Sequence, residues 1–385
     1  MHRARRLATL LASLAAALTS ACAPPQTVCL GNGAQVTVDA APQLRVTIDD
    51  ADGRRLLTLD DVAAATDFYY EEAQLLPGWD GYRESVKKWQ RAQRGVIGAH
   101  DAQHATVVLE GDATGTLTLD ADGPRVRLGL HMDSLQPGAP QEVALTFDLH
   151  DDESFFGLGE RFAEVDHRGR GLYSWAEEGG LGGGEDPAAA VGSPFPNGPS
   201  MTYFPVPFFI SSAGYAMHLD TTQRTEVHLG DESEQQWRVS SLSDRLDVVV
   251  YAGAPLAALD LYTEDTGRPM VPAPWVFGPR RRVSLGQQVN GVDEWRLLRE
   301  RHVPTTGLDD AVHFLPHLSQ VGQETQLAQW TSDLHAAGYK ALAYNNPYVS
   351  MSEPAAAADF AYGQANHLFL TDQNGDVAST FFISG

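Results

Sequence analysis

Apolar and polar residues alternate along Leu44-Arg45-Val46-Thr47-Ile48, break at Asp52-Gly53, and resume in Leu57-Thr58-Leu59. The same device recurs at Thr116-Leu117-Thr118-Leu119, turns at Asp122-Gly123, and continues in Val126-Arg127-Leu128. A period of two puts every second side chain on one face, and Asp-Gly favours the tight turn that joins antiparallel strands. More such runs follow between residues 200 and 252, ending in Leu246-Asp247-Val248-Val249-Val250-Tyr251. The pattern from Gln35 onward predicts a sandwich of many strands, one large all-β domain. Tyr82 to Arg94 is polar and reads as a loop or a short helix.

Two stretches depart from this grammar. Gly169 to Pro199 contains Gly179-Gly180-Leu181-Gly182-Gly183-Gly184 with Pro194, Pro196 and Pro199, a composition that holds neither strand nor helix. Irregular insertions of about 30 residues in a compact domain are usually functional or disordered, and Trp175, Glu177 and Glu178 near its start favour a function. After about Trp275 the spacing becomes helical over Val292 to Arg301 and Thr325 to Ala337. Leu327, Trp330 and Leu334 fall on one face of the second helix, and Gly338 stands at its C-cap. Leu308 to Leu315 and Lys340-Ala341-Leu342-Ala343-Tyr344 read as strands. Strands alternating with helices imply parallel βα units.

Charge narrows the partners. Across 385 residues, 27 basic side chains against 50 acidic ones give a net charge of −23, which repels phosphate backbones and argues against nucleic acid. Nearly all the positive charge is arginine, and no run exceeds three residues, so a polybasic membrane patch is absent.

The leader reads separately. Arg3, Arg5 and Arg6 precede an apolar run from Leu7 to Leu18, then Thr19-Ser20-Ala21 and Cys22. This order predicts a secretory signal over residues 1–21, too short to span a bilayer. Cysteine directly after small residues resembles a bacterial lipoprotein signal. Cleavage behind Ala21 with lipid on Cys22 is therefore expected, and export to the bacterial cell envelope or periplasm with it. Ordinary secretion with an idle Cys22 is the alternative. Cys22 and Cys29 are the only cysteines, so no disulfide framework or zinc site is implied. The histidines show no metal-ligand spacing, and no cofactor is expected.

Four stretches together resemble glycoside hydrolase family 31. They are Phe156-Gly157-Leu158-Gly159-Glu160-Arg161-Phe162, Pro207-Phe208-Phe209-Ile210-Ser211 with Gly214-Tyr215, Tyr262 to Pro269 with Pro272 to Gly278, and Leu334 to Lys340 closed by Asn346-Pro347-Tyr348. Their order and spacing over residues 155 to 349 carry the resemblance. It implies a galactose-mutarotase-like β-sandwich over residues 22–275, followed by the first part of a (β/α)8 TIM barrel over 276–385. It also implies hydrolysis of α-glycosides with retention, one Asp serving as nucleophile and another as acid/base. Such chemistry needs two carboxyl groups about 5–5.5 Å apart. Neither catalytic Asp has a counterpart here, so no catalytic residue is assigned.

Only 110 residues follow Trp275, whereas a complete barrel needs about 250. The expectation is that residues 1–385 form the N-terminal portion of a longer enzyme, with the catalytic Asp pair beyond residue 385.

The resemblance also names candidate sugar contacts. Its second barrel strand carries an acidic residue that binds sugar hydroxyls, a task that suits Asp309, Asp310 or His313, although the motif is displaced. Asn346 follows the third strand, where the fold places its active sites, with turn chemistry before Pro347 as the competing explanation. Trp175 would stack on a sugar ring or anchor the long insertion. The Arg280-Arg281-Arg282 run would bind an anionic substituent or, more commonly, pair with the abundant acids.

Two other classes remain open. A surface carbohydrate-binding lipoprotein without hydrolase activity fits the same residues. A mutarotase or epimerase acting through the sandwich would need a His/Glu acid–base pair there, which spacing alone does not single out. Carbohydrate is the expected partner in the first two readings, and oligomeric state is not legible.

Overall fold

The computed structural model describes residues 26–29, 33–39, 44–66, 70–76, 79–84, 87–139, 141–161, 164–174, 200, 202, 204–283, 287–314, 324–345, 348–372 and 374–379. Within these, the side chains of 70–76, 79–84, 310–314 and 343–345 lie outside the description. The chain divides into two compact units between Arg268 and Pro269, a few residues before the expected division at Trp275.

The first unit is the antiparallel sandwich that the period-two runs predict. In one sheet, hydrogen bonds join Phe155–Gly157, Phe208–Ser211, Tyr215–Leu219, Arg245–Ala252, Arg125–Met132, Gly115–Asp122 and His104–Gly111 in that spatial order. In the other, Arg55–Ala65, Glu142–Asp148, Gln236–Ser241, Thr225–His228 and Gly171–Ser174 are neighbours. Arg45–Asp49, Gln35–Asp39 and Gln26–Cys29 extend the second sheet from Arg55–Ala65.

The strand Trp89–His100 belongs to both sheets. Its first three residues pair with Ala63–Ala65, and the remainder pairs with His104–Gly111. The expectation of a loop or short helix over 82–94 is therefore corrected. Trp79–Glu84 and Trp89–His100 are both strands. Most of Trp89–His100 is exposed, so no apolar alternation marks it; its backbone partners fix it instead.

Val46, Ile48, Leu59, Phe147 and Val239 from one sheet share a core with Leu117, Leu128, Met217 and Val248 from the other. Trp237 is central to it: its ring stacks on Phe147 at 4.3 Å and meets Phe155 and Phe209 edgewise at 5.9 and 5.6 Å. One helix, Pro255–Thr266, buries Ala258 against the outer face of the first sheet, where Tyr262 stacks on Phe208 at 4.0 Å.

The motif Gly157-Leu158-Gly159 forms a tight corner, with φ of 125°, 61° and 88° in turn. Leu158 tolerates the left-handed region because its side chain is wholly buried in the core. A Cβ on Gly159 would lie 2.1 Å from the carbonyl oxygen of Phe204, so no other residue fits. Arg161, next in the motif, donates through Nη1 to the carbonyls of Tyr173 and Ser200 at 3.0 and 3.2 Å. It thus ties together the two chain segments that flank residues 175–199.

In the second unit, parallel strands Arg280–Val283, Gly307–Phe314 and Lys340–Asn345 are neighbours in chain order. Helices Glu294–Glu300 and Glu324–Ala336 occupy the two crossovers, close to the helical runs read from the sequence. The first helix starts later than its pattern because Val292–Asp293 pairs with Gln288–Val289 in a short hairpin. Val283, Leu308, Trp330, Leu334 and Tyr339 make a small core. Arg299 braces it, lying over the Tyr339 ring at 3.5 Å and donating to the carbonyls of Thr305, Ala337 and Gly338.

Candidate functional site

Leu308 sits beneath the helices, so Asp309, its neighbour on the strand Gly307–Phe314, takes the opposite face. Asp309 is flanked in register by Arg282 and Leu342. Its Oδ1 is buried and accepts no hydrogen bond. A desolvated carboxylate oxygen without a donor is costly in an isolated chain and is a ready acceptor for a ligand hydroxyl. Of the arginine run, Arg281 is already committed to an ion pair, its Nε 2.9 Å from Oε1 of Glu294, while Arg280 and Arg282 are exposed.

The other sequence candidates are only partly placed. Asp310 pairs in register with Val283, and His313 with Tyr344. His313 therefore lies toward the carboxyl end of its strand, where open parallel sheets bind ligands. The side chains of Asp310 and His313 lie outside the described residues, as do Trp175, Asn346 and Cys22 altogether. The structure thus brings Asp309, Asp310 and His313 onto one strand.

A second concentration of chemistry, not singled out by spacing, lies on the sandwich. Glu226 and His228 are two apart on the strand Thr225–His228. Lys87 Nζ lies 2.7 Å from Glu142 and 3.0 Å from Glu226, and Arg224 reaches Glu226 at 2.7 Å. His228 Nε2 is 3.6 Å from Glu226, and its Nδ1 is 2.8 Å from Asp231. Burial opposes the charged form of His228, but hydrogen bonds to Asp231 and Glu226 prevail and raise its pKa to about 9. Burial likewise opposes ionisation of Glu226, yet His228, Lys87 and Arg224 hold its pKa far below the ordinary value. The charges of this pair are held by one another and by Lys87, Arg224 and Asp231, so the cluster reads as an ion network that ties the sandwich together. Its one sequence signal was the separation of two, which places both side chains on one strand face.

Residues 35–228, about half of the chain, match the family described as "Glycosyl hydrolase 31 N-terminal galactose mutarotase-like domain". The chain belongs to glycoside hydrolase family 31. Among curated relatives of this family 31 chain, the alpha-xylosidase XylQ of Lactiplantibacillus pentosus is 27% identical over 241 residues, covering 59% of the chain and 28% of the relative. The sulfoquinovosidase of Agrobacterium fabrum is 24% identical over 308 residues, covering 73% and 44%. Among solved structures, a family 31 sulfoquinovosidase from E. rectale in complex with an aza-sugar inhibitor superposes with a TM-score of 0.66 at 16% identity, covering 89% of the chain and 52% of that structure. A Flavobacterium johnsoniae family 31 dextranase complexed with glucose gives 0.52 at 14% identity, covering 93% and 42%. The family 31 chain therefore spans between 28% and 52% of the length of these relatives.

Proposed function

We propose that the protein is a retaining α-glycoside hydrolase acting on carbohydrate. In this reading residues 276–385 are the first part of a (β/α)8 barrel, and the nucleophile and acid/base are supplied by sequence outside residues 1–385. The observation that carries it is the buried, unpartnered Oδ1 of Asp309 on the face of the parallel sheet away from its helices. That oxygen would accept a hydroxyl of the sugar at the cleaved position. Asp310, His313, Asn346 and Trp175 are the further contacts in this reading. The relative named alpha-xylosidase supports an α-glycosidic bond as the target, and the one named sulfoquinovosidase supports a glycoside substrate. Export with lipid on Cys22 belongs to the same proposal.

The test is a screen of the full-length protein against aryl α-xyloside, α-glucoside, α-galactoside and α-sulfoquinovoside, with the product anomer followed by NMR. Turnover with the α-anomer formed first supports the reading, and β-anomer first overturns retention. Saturable sugar binding with no turnover on any glycoside would favour the carbohydrate-binding lipoprotein instead.

A further inference from the structure

The outer face of the sheet containing Arg55–Ala65 carries a cleft of about 140 Å³, walled by Asp60, Asp61, Trp89, Arg91, Gln236 and Arg238. Its floor has a simple origin. Ala63 and Ala144 are direct cross-strand partners, both buried, so two methyl groups sit side by side among long polar neighbours.

Its acidic wall comes from a bulge. The register between Glu142–Asp148 and Arg55–Ala65 pairs Thr146 with Asp61 but Phe147 with Leu59, leaving Asp60 as the extra residue. Leu59 and Val62 both enter the core, so the two residues between them, Asp60 and Asp61, both face outward. Strict alternation would have buried one of these carboxylates. Bulges that re-aim side chains in this way are over-represented beside binding and active sites.

The remaining walls pair opposite charges without closing the space. Arg91 Nε lies 3.1 Å from Asp61 Oδ2, and Gln236 Nε2 donates to Asp60 Oδ2 at 2.7 Å. The Arg238 guanidinium lies 5.0 Å from the centre of the Trp89 ring. Two aspartates and two arginines leave the lining with no formal net charge. That balance favours neither a phosphate nor a metal ion, and the acidic chain as a whole repels anions. Arg238 is spent on Glu232, to which its Nε and Nη2 donate at 2.9 and 2.6 Å. Acceptors on Asp60 and Asp61, donors on Arg91 and Gln236, the Thr146 hydroxyl and an aromatic wall suit a ring bearing hydroxyls on its rim and C–H groups on its face. The size suits one such ring and not a chain of them. Burial, partly offset by Arg91 and reinforced by Asp60, raises the Asp61 pKa, as expected for a carboxylate in a sheltered acceptor position.

We propose that this cleft is a second carbohydrate site, binding a single neutral pyranose unit on the sandwich, separate from the parallel sheet that carries Asp309. The proposal does not depend on hydrolysis or on where it occurs.

Saturation-transfer NMR and calorimetry with methyl α-glucoside, methyl α-xyloside and methyl α-galactoside test it on the purified protein. At least one should bind saturably in the millimolar range. Ala144→Leu, which fills the floor without removing a polar group, should weaken that binding at least tenfold while circular dichroism is unchanged. If the added bulk unfolds the sheet, Trp89→Ala supplies the same readout by removing the aromatic wall. Failure of all three glycosides to bind overturns the proposal. So does binding that, in an Asp309→Asn background, survives in the folded cleft variant or is already lost with the cleft intact.

Discussion

His228 Nε2 lies 3.6 Å from Glu226 Oε2, and the same ring holds Asp231 at 2.8 Å through Nδ1. The imidazole is thus kept charged by two carboxylates inside a largely buried cluster. Its pKa rises from 6.5 to about 9 on folding. A raised value means that the contribution is fully present below about pH 6.5 and is lost as pH climbs through 9. The linked stability is at most roughly 3 kcal/mol. Chemical denaturation at pH 6 and pH 9.5 should show that loss, and His228→Gln should flatten the profile over this window. An unchanged slope in the variant would assign the alkaline loss to other groups.

Lys87 is nearly buried between Glu142 and Glu226. Lys87→Met should cost about 3–5 kcal/mol, because it leaves buried carboxylates short of a cation. A urea titration showing less than 1 kcal/mol would mean that Arg224 alone compensates Glu226.

Gly159 has φ of 88° and no room for a Cβ against Phe204. Gly159→Ala should lower the melting temperature of the sandwich by more than 5 °C, through strain of several kcal/mol. Gly53, also left-handed but with open space around its Cα, should tolerate alanine far better. Equal melting temperatures for the two variants would contradict the steric account.

Asp309→Asn in the full-length protein should lower kcat/KM on its best α-glycoside by tenfold or more, with little change in melting temperature. Unaltered kinetics would remove Asp309 from the substrate site.

Cys22→Ala should release the mature protein from membranes into the soluble fraction. Membrane retention of that variant would eliminate the lipid anchor.

The sequence exposes what repeats locally and hides what depends on distant partners. Leu44 to Ile48 and Thr116 to Leu128 are legible because alternation and Asp-Gly turns are encoded within a few residues. The helix Glu324–Ala336 is legible for the same reason, through Trp330 and Leu334. Trp89–His100 is not, since its strand character comes from partners in two sheets. The outward turn of Asp60 and Asp61 depends on how Phe147 registers against Leu59, which no local pattern records. The charged cluster joins Lys87 to Glu226 across 139 positions, beyond the reach of any spacing rule. For the candidate sugar contacts, spacing placed Asp309 correctly on a strand, but its unpartnered oxygen required the surrounding atoms to be seen.

A strand shared by both sheets leaves the sandwich without a seam. The two layers cannot part like covers of a book, because Trp89–His100 would have to surrender hydrogen bonds to Ala63–Ala65 or to His104–Gly111 as they separated. Neither layer is then a natural fragment. The sandwich should melt as one cooperative body, and circular permutants opened within residues 89–100 should be the least viable of any series.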